Sequence, residues 1–305
     1  MGSSIAAAGE RDVLIVGETI IDIVERSGTR TEHVGGSPAN VALTVGRLGN
    51  PVRLVTDIAD DIRGLRARAH LAESNVDVSS SSGGQTPTAI ARVQADGSAR
   101  YTFDITWDPP QPRIGAAAHV HIGSIAAFLS PGADTVGALL RSLPPGVTSS
   151  IDPNIRPALI GSHRKASQRF EALVSHSDIV KLSDEDGLWL YPSATHEEMI
   201  DRLLNLGARL VIVTRGGDGL ILASRQSRVD VRAAPIKVAD TIGSGDSAMG
   251  AIIDAIRREN LDALCAPALR RIGNWAAKVA GVTTSRVGAN PPWLKELDGY
   301  AVGVS

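Results

Sequence analysis

Short apolar segments alternate with longer helical patterns along most of this chain. The apolar segments have the length of strands and are bounded by glycine, aspartate or polar clusters; they are Val13–Val16, Val52–Val55, Val120–Ile122, Ile179–Leu182, Leu210–Val213 and Leu220–Ala223. The helical patterns are Ala39–Leu48, Asp60–Ser74, Ala133–Ser142, Ser162–Ser175, Thr195–Leu206 and Ala268–Gly281. Because parallel strands need long crossovers, this alternation predicts a parallel sheet with helices on both faces.

Two stretches, Ile20–Val34 and Thr88–Trp107, show strand-like patterns instead. A turn at Ala95–Ser98 would join two strands of the second stretch into a hairpin. We expect these stretches, about residues 18–36 and 86–108, to form a small β-sheet that projects from the main sheet. Ligands of open α/β sheets bind at the carboxyl ends of the strands, so a sheet there would act as a lid that excludes water.

The length of 305 residues fits one large α/β domain. We expect residues 1–10, rich in glycine, serine and alanine, to be a disordered leader, residues 11–305 to form a single domain, and Ser79–Gly84 to be a linker. The sole cysteine, Cys265, excludes an internal disulfide and a multi-cysteine metal site, and its apolar neighbours predict burial.

The net charge and the hydropathy of the chain limit the kinds of partner that it can be expected to bind. The formal net charge is −2 and aromatic residues make up 3% of the chain, which argues against nucleic acid or an anionic membrane as the main partner. No apolar run approaches the roughly 18 residues of a membrane span, and Met1–Arg11 lacks the features of a signal peptide. We therefore expect a soluble, cytoplasmic protein.

The segment Asp240–Asp246 (DTIGSGD) leads directly into the apolar stretch Ser247–Ile256. A helix N-terminus offers unpaired N–H groups and the positive end of a dipole, which suit an anion. Gly243, Ser244 and Gly245 would let the backbone curl around a phosphate, and Asp246 would stand within reach of an attacking hydroxyl. The alternative is a plain loop with an aspartate near the helix start.

A second glycine-rich motif, Gly35–Asn40 (GGSPAN), precedes the helical pattern near the N-terminus. Pro38 suits the start of a helix. Asn40 would lie on the first turn, where its amide can donate hydrogen bonds to a polyol and accept them from it. The alternative is again a turn with a cap, and neither motif is specific when taken alone.

Together, the two motifs resemble the pair found in the ribokinase-like sugar kinases, also called the phosphofructokinase-B family. The resemblance extends from about Asp12 to Trp293, and Gly17–Asp22, Asp152–Arg156 and Val213–Gly219 are similar to the fructokinase and 2-keto-3-deoxygluconate kinase branch. It implies a three-layer α/β/α fold with a mostly parallel sheet and a small β-sheet lid. It also implies phosphoryl transfer from ATP, with Mg²⁺, to an alcohol group.

The same resemblance assigns roles to individual positions. Asp246 matches the catalytic base, and the backbone of Gly243, Ser244 and Gly245 matches the anion hole. The positions that match contacts to the sugar or the acceptor are Asp22, Gly36, Asn40, Asn154, Arg156 and Asp246 itself. Those that match the nucleotide site are Ser183, Thr214, Gly217, Gly219 and Asn274, together with Gly243 and Gly245 of the anion hole. Asp240 and Ile242, with the loop Ser285–Gly288, resemble a site for a monovalent cation such as K⁺.

One motif departs from the family pattern. An Asn-x-x-Glu whose glutamate helps to hold Mg²⁺ through water is replaced by Ser183–Asp186 (SDED). Asp186 keeps a carboxylate one methylene shorter, a change that a water-mediated site tolerates because Mg²⁺ retains several waters. Glu185 is the neighbouring candidate. The alternative is that this acidic run only opens a helix.

The residues also exclude other chemistries. The chain has no Gly-x-x-x-x-Gly-Lys-Ser/Thr, so it is not a P-loop enzyme, and it has no zinc-binding spacing. Phosphoryl transfer needs positioning and charge neutralisation more than covalent catalysis, which suits the two motifs. We predict a sugar kinase acting on a primary hydroxyl, with a ketose such as fructose as the acceptor.

Other functions remain open at this stage. A 2-keto-3-deoxygluconate kinase would need a cation such as Arg156 for the acid, and a nucleoside kinase would need apolar or aromatic lid contacts; ribokinase activity is a further alternative. A non-catalytic sugar-sensing protein would be expected to lack Asp246 or the glycines, which are present. Exposed lid edges invite pairing, which suggests a homodimer through the lid sheet.

Overall fold

A computed structural model describes residues 11–297 apart from Ser27, Ser82 and residues 95–97. The expected leader at residues 1–10 and most of the expected turn at Ala95–Ser98 lie outside the described residues. The strands are β1 Val13–Val16, β2 Ile20–Arg26, β3 Thr29–Gly35, β4 Val52–Asp57, β5 Val76–Ser81, β6 Thr88–Val93, β7 Ala99–Asp104, β8 His119–Gly123, β9 Thr148–Asp152, β10 Ile179–Ser183, β11 Leu210–Thr214, β12 Leu220–Ala223 and β13 Arg228–Val231.

The α-helices follow most of these strands, as the alternation predicts. They are α1 Ser37–Arg47, α2 Ile62–Ala72, α3 Gly132–Arg141, α4 Pro157–Ile160, α5 His163–Val174, α6 Asp184–Leu190, α7 His196–Leu206, α8 Ser244–Ile256, α9 Ala266–Thr284 and α10 Leu294–Leu297. Short 3₁₀ turns occupy Ser124–Ala127, Gly216–Asp218 and Leu261–Ala263. In the part of the chain that the structure describes, no helix is long and apolar enough to cross a bilayer.

The main sheet of the described residues has nine strands in the order β13-β12-β11-β10-β9-β8-β1-β4-β5. The pairs from β11 to β5 are parallel, and only β12 and β13 run antiparallel to their neighbours. The carboxyl ends of β1, β8, β9, β10 and β11 therefore meet along one edge of the sheet. The predicted mostly parallel sheet is confirmed, and this edge is where its ligand site is expected.

Helices cover both faces of the sheet. On one face, α1, α8 and α9 pack in a core with Val13, Ile15 and Ile212, while the other face packs against α3, α5 and α7. The helices α1 and α8 approach closely because Gly250 has no side chain: a Cβ there would lie 2.6 Å from the Cβ of Thr44. This approach brings the N-termini of two helices from distant parts of the chain together at the same edge.

The lid is a separate four-stranded sheet in the order β3-β2-β6-β7. One face packs over Ile58 and Ala67 through Ile21, Ile23 and Ile90. The opposite face carries Asp22, whose neighbours across the strands are His33 and Ala89. The small lid sheet expected from the sequence is confirmed.

Two local predictions are wrong. Residues 79–81 of the expected linker belong to β5, an edge strand that pairs in parallel with β4. Serine is acceptable there because these side chains are partly exposed, so their hydroxyls remain in contact with water. Cys265 is exposed at the N-cap of α9, because the apolar residues beside it, Leu264 and Ala268, take the buried positions.

Candidate active site

The helix α8 begins at the carboxyl edge of the sheet with the predicted glycine-rich turn. Its N-cap residue, Gly243, has φ 74°, in the left-handed region that glycine adopts without steric cost. Asp246 lies in the first turn of the helix. The Ser244 N–H donates to the Thr241 carbonyl oxygen at 3.2 Å, so the N–H groups that follow it in this turn, together with the helix dipole, are the ones suited to an anion.

Two side chains of the other glycine-rich motif bind the carboxylate of Asp246. The Ser37 hydroxyl donates to Oδ1 at 2.6 Å, and the Asn40 amide donates to Oδ2 at 2.8 Å, although these residues lie 209 and 206 positions from Asp246. The Asn40 Oδ1 atom is buried and has no partner among the described residues. That free acceptor is suited to the hydroxyl of a bound polyol.

Ser37 is a site residue that the sequence analysis missed. It is 7% exposed and stands at the first position of α1, three residues before Asn40. Residues three apart lie on the same face of a helix, so the spacing of Ser37 from Asn40 could have predicted that both side chains point to the same site. Both side chains hold the Asp246 carboxylate in one orientation.

Asp22 lies on the lid face turned toward this edge. Burial raises the pKa of its carboxyl to about 6, and the charges of His33 and Arg156 oppose that rise. Gly36 follows β3 with φ 102°, and a Cβ there would lie 2.5 Å from the carbonyl oxygen of Glu18. The lid acid, the Gly36 turn and Arg156 therefore lie in one neighbourhood, and their contact with a sugar stays a prediction.

Glu18, between β1 and the lid, is a second residue that the sequence analysis did not single out. Its carboxylate accepts a hydrogen bond from the Ala126 N–H at 3.0 Å, and it is 2% exposed. Burial raises the pKa of Glu18 to about 7, against the hydrogen bonds from Ser124 and Ala126 and the charge of Arg156. The sequence signal that could have identified Glu18 is an acidic residue two positions after the end of the first buried strand.

Replacing Glu18 by glutamine is expected to flatten the dependence of folding stability on pH. The pKa of the folded protein, about 7, lies above the ordinary 4.5, so the folded state binds the proton more tightly. The free energy of unfolding is then highest below pH 4.5 and falls as the pH rises through 7, by roughly 3 kcal/mol for this group. Urea unfolding at pH 5 and pH 8 measures the difference.

The glutamine variant should match the wild type at pH 5 and be the more stable protein at pH 8. Glu73→Gln, at an exposed acid that caps the C-terminus of α2, controls for the loss of one carboxylate. A Glu18→Gln profile that parallels the wild type across this range would contradict the assignment.

The segment Asp152–Arg156 leaves the carboxyl end of β9. Asn154 has φ 36°, a left-handed conformation that asparagine tolerates better than most residues. The Ile155 N–H donates to Asp186 Oδ1 at 2.7 Å, so α6 fixes this segment. Arg156 is exposed, and its guanidinium bonds only backbone carbonyls of Asn154 and Ile155 within the described residues.

Asp186 does not fit the role of a direct metal ligand. Its Oδ2 accepts from both the N–H and the hydroxyl of Ser183, which forms a capping box at the start of α6, and its Oδ1 accepts from Ile155. The side chain is 7% exposed. No cluster of three or more metal-binding side chains occurs in the described parts of the chain. The acidic run opens α6 through this capping box, while the expected water-mediated contact of Asp186 with Mg²⁺ stays a prediction and no reaction step is assigned to it.

The residues expected at the nucleotide lie farther along the same edge. Ser183 and Thr214 are register partners at the ends of β10 and β11. The turn after β11 contains Gly217, which is exposed, and Gly219, which has φ 88°. Asn274 is exposed on α9, the helix that packs on β12 and β13. Gly219 is buried against β13, where a Cβ would lie 2.0 Å from the Val231 carbonyl oxygen, and contact of these positions with a nucleotide stays a prediction.

Asp240 joins two loops beside α8. Its Oδ1 accepts from the Ile242 N–H at 3.0 Å and its Oδ2 from the Gly288 N–H at 2.9 Å. These backbone hydrogen bonds lower the pKa of the Asp240 carboxyl. The structure therefore joins Asp240, Ile242 and Gly288 by hydrogen bonds, while a monovalent cation at this place stays a prediction.

Known proteins resemble this chain in both sequence and fold. A family model described as pfkB family carbohydrate kinase matches residues 10–296. A fructokinase of Rhizobium leguminosarum bv. trifolii is 34% identical over 264 residues, with 82% of this chain and 81% of that protein covered.

Solved structures extend the likeness. An uncharacterized sugar kinase from Pyrococcus horikoshii in complex with ATP has a TM-score of 0.80 at 25% identity, covering 94% of this chain and 97% of the other. A fructokinase with bound ATP from Xylella fastidiosa has a TM-score of 0.83 at 23% identity, with the same coverage, and shows the shared fold.

Proposed function

Because the chain belongs to the pfkB family of carbohydrate kinases, we propose that it transfers the γ-phosphate of ATP to a primary hydroxyl of a ketose such as fructose. One observation carries the proposal: Asp246, at the N-terminus of α8, is bonded by Ser37 and Asn40 from α1. The group that takes the proton and a group that holds the acceptor are thus in direct contact. The identity to a fructokinase over most of the chain supports the choice of sugar.

The residues of the site divide the chemistry between them. Asn40 and Asp22 hold the sugar hydroxyls, and Asp246 accepts the proton of the attacking hydroxyl. The hydroxyl oxygen forms a bond to the γ-phosphorus while the bond from that phosphorus to ADP breaks. The backbone of Gly243, Ser244 and Gly245 receives the charge that develops on the transferred phosphoryl group.

ATP is the proposed donor, bound along Ser183, Thr214, Gly217, Gly219 and Asn274. Kinases of this family use ATP with Mg²⁺, which supplies charge neutralisation on the phosphate oxygens when bound. We propose that K⁺ binds at Asp240 and the adjoining loops, whose joined arrangement supports such a site. A monovalent cation there would lie beside the anion-binding turn.

The charges of the lid favour a neutral sugar over a sugar acid. Arg156 is the cation expected to bind an acidic acceptor such as 2-keto-3-deoxygluconate. It lies close enough to Asp22 and Glu18 to lower the pKa of both carboxyls, although it forms no ion pair with either in the described structure. A carboxylate substrate would have to compete with Asp22 for this cation.

Turnover of a panel of acceptors tests the proposal. Fructose, ribose, 2-keto-3-deoxygluconate and adenosine are each supplied with ATP, Mg²⁺ and K⁺, and ADP release is followed. We expect fructose to give the highest kcat/KM. Turnover of adenosine without turnover of any sugar would contradict the ketose assignment, and a lack of turnover on every acceptor would favour a sugar-sensing role.

We also propose that two copies pair through their lids. The lid face that carries Asp22 also presents Val24, Ala91 and Tyr101, which are neighbours across three strands. Tyr101 is 61% exposed and stacks on Phe103 at 6.1 Å. An exposed apolar and aromatic patch of this kind is typical of an interaction surface. Sedimentation should give about twice the monomer mass; a monomer at micromolar concentration would contradict pairing.

A further inference from the structure

A buried ion pair lies beneath the anion-binding turn. Lys181 on β10 and Asp152 at the end of β9 contact each other, with 2.6 Å between the lysine Nζ and the aspartate Oδ2. Their side chains are 4% and 2% exposed. Burial of two charges is costly unless each is well satisfied, so such a pair needs a reason to be retained.

The ammonium group reaches the underside of the α8 N-terminus. A Cβ built on Gly245 would lie 3.4 Å from Lys181 Nζ, about van der Waals distance, so the ammonium group lies directly against that glycine. Burial by itself lowers the pKa of Lys181, but Asp152, Asp246 and Asp186 together raise it above its ordinary value. Lys181 is therefore a cation held directly beside Gly245.

The pair is incompletely satisfied by the protein. An ammonium carries three donors, yet Asp152 Oδ2 is the one hydrogen-bond partner of Lys181 among the described residues. Asp152 Oδ1 is buried with no partner there. A buried donor without an acceptor is costly, and an anion bound at the α8 turn would be attracted by the part of the ammonium charge that Asp152 does not neutralise.

We propose that Lys181 is a positioning residue for phosphoryl transfer, whose charge adds to the α8 dipole beneath Gly243–Asp246 and draws the γ-phosphate into that turn. Asp152 holds the ammonium in place. The inference rests on the proposed kinase function. The negative charge that Lys181 attracts is on ATP and absent from the sugar, so the lysine should affect phosphate binding and rate and leave sugar binding unchanged.

Three variants separate this role from a purely structural one. Lys181→Met removes the cation and leaves Asp152 buried without a counter-charge. Asp152→Asn keeps the cation. The double variant Lys181→Met/Asp152→Asn removes both charges and so relieves the uncompensated carboxylate. Each is measured for kcat, for KM of the sugar, for thermal stability, and for the dissociation constants of ATP and ADP.

We expect Lys181→Met to lose kcat roughly 30-fold, to lose thermal stability, and to bind fructose with less than about a threefold change. Asp152→Asn should lose much less of kcat, and the double variant should recover stability without recovering kcat. The preference for ATP over ADP should fall in both variants that lack the lysine. Recovery of kcat in the double variant would overturn the proposal, as would an unchanged kcat in Lys181→Met.

The binding readout also separates this inference from the kinase assignment. If the wild type turns over no sugar, the kinase assignment fails, while loss of the preference for ATP over ADP in Lys181→Met would still support a γ-phosphate site above the lysine. An unchanged preference for ATP would overturn the inference whether or not the enzyme is active.

Discussion

Replacement of Asp246 by asparagine is expected to lower kcat by about 10³-fold, which is within the range for loss of a general base. The variant removes the carboxylate that Ser37 and Asn40 hold at the α8 N-terminus. A neutral amide cannot accept the proton of the sugar hydroxyl. The effect should fall on kcat because the proton is transferred in the reaction and not when the sugar binds.

The fold should accommodate this change. The new amide group would face the amide of Asn40, but the Oδ1 atom of Asn40 is buried and has no partner in the described structure. Rotation of the Asn40 amide would therefore offer an acceptor to the new donor.

Fructose affinity by calorimetry and single-turnover rates test the assignment of Asp246. The calorimetric affinity should stay within about threefold of the wild type, because Asp22 and Asn40 remain. A variant that retains a rate near the wild type would place the base elsewhere. A variant that loses fructose binding and rate together would show that Asp246 acts mainly in holding the sugar.

Replacement of Gly243 by alanine is expected to lower kcat by about 10²-fold, because it displaces the backbone donors that receive the phosphoryl charge. The residue has φ 74°, where a side chain costs about 1–2 kcal/mol. In addition, its new Cβ would lie 2.6 Å from the Cβ and 2.8 Å from the Cα of Ala289. The turn must therefore shift, and the N–H groups of Ser244 and Gly245 shift with it.

Gly146 offers a matched control. It has φ 86°, so alanine meets a comparable backbone penalty, but a Cβ there would touch nothing within 4 Å. It precedes β9 at the amino end of that strand, the end opposite to the site. Gly146→Ala should lower the melting temperature and leave kcat unchanged. Equal loss of kcat in the two variants would attribute the Gly243 effect to general destabilisation.

The fold could be predicted from the sequence where the spacing of apolar residues matches the pattern of burial in the structure. Segments such as Val13–Val16 and Leu220–Ala223 are buried throughout and were found with their observed bounds. The strand β9 was missed because Ser149 and Ser150 interrupt its apolar pattern, although both are buried and hydrogen-bonded to neighbours such as Asp178 and His121. Tertiary partners made polar residues acceptable in the core, and a local pattern does not show those partners.

The acidic run at Ser183–Asp186 illustrates the same limit in the site. The sequence left open whether Asp186 holds a metal or opens a helix. Its partners are Ser183, which is local, and Ile155, which arrives from the end of a neighbouring strand. Only the second contact ties the acceptor-side segment to α6, and nothing in the spacing of the two motifs predicts it.

The order of strands and helices, the two glycine-rich turns and the residue types at the helix starts can be read from the amino-acid sequence, because these depend on local backbone conformation and on periodicity. The hydrogen bonds from Ser37 and Asn40 to Asp246, and the ion pair of Lys181 with Asp152 beneath Gly245, arise only when the chain is folded. The same holds for the burial that raises the pKa of Glu18 and Asp22. The physical reason is that desolvation and hydrogen bonding depend on which strand ends meet at one edge, and the sheet order fixes those meetings across some 200 residues of chain.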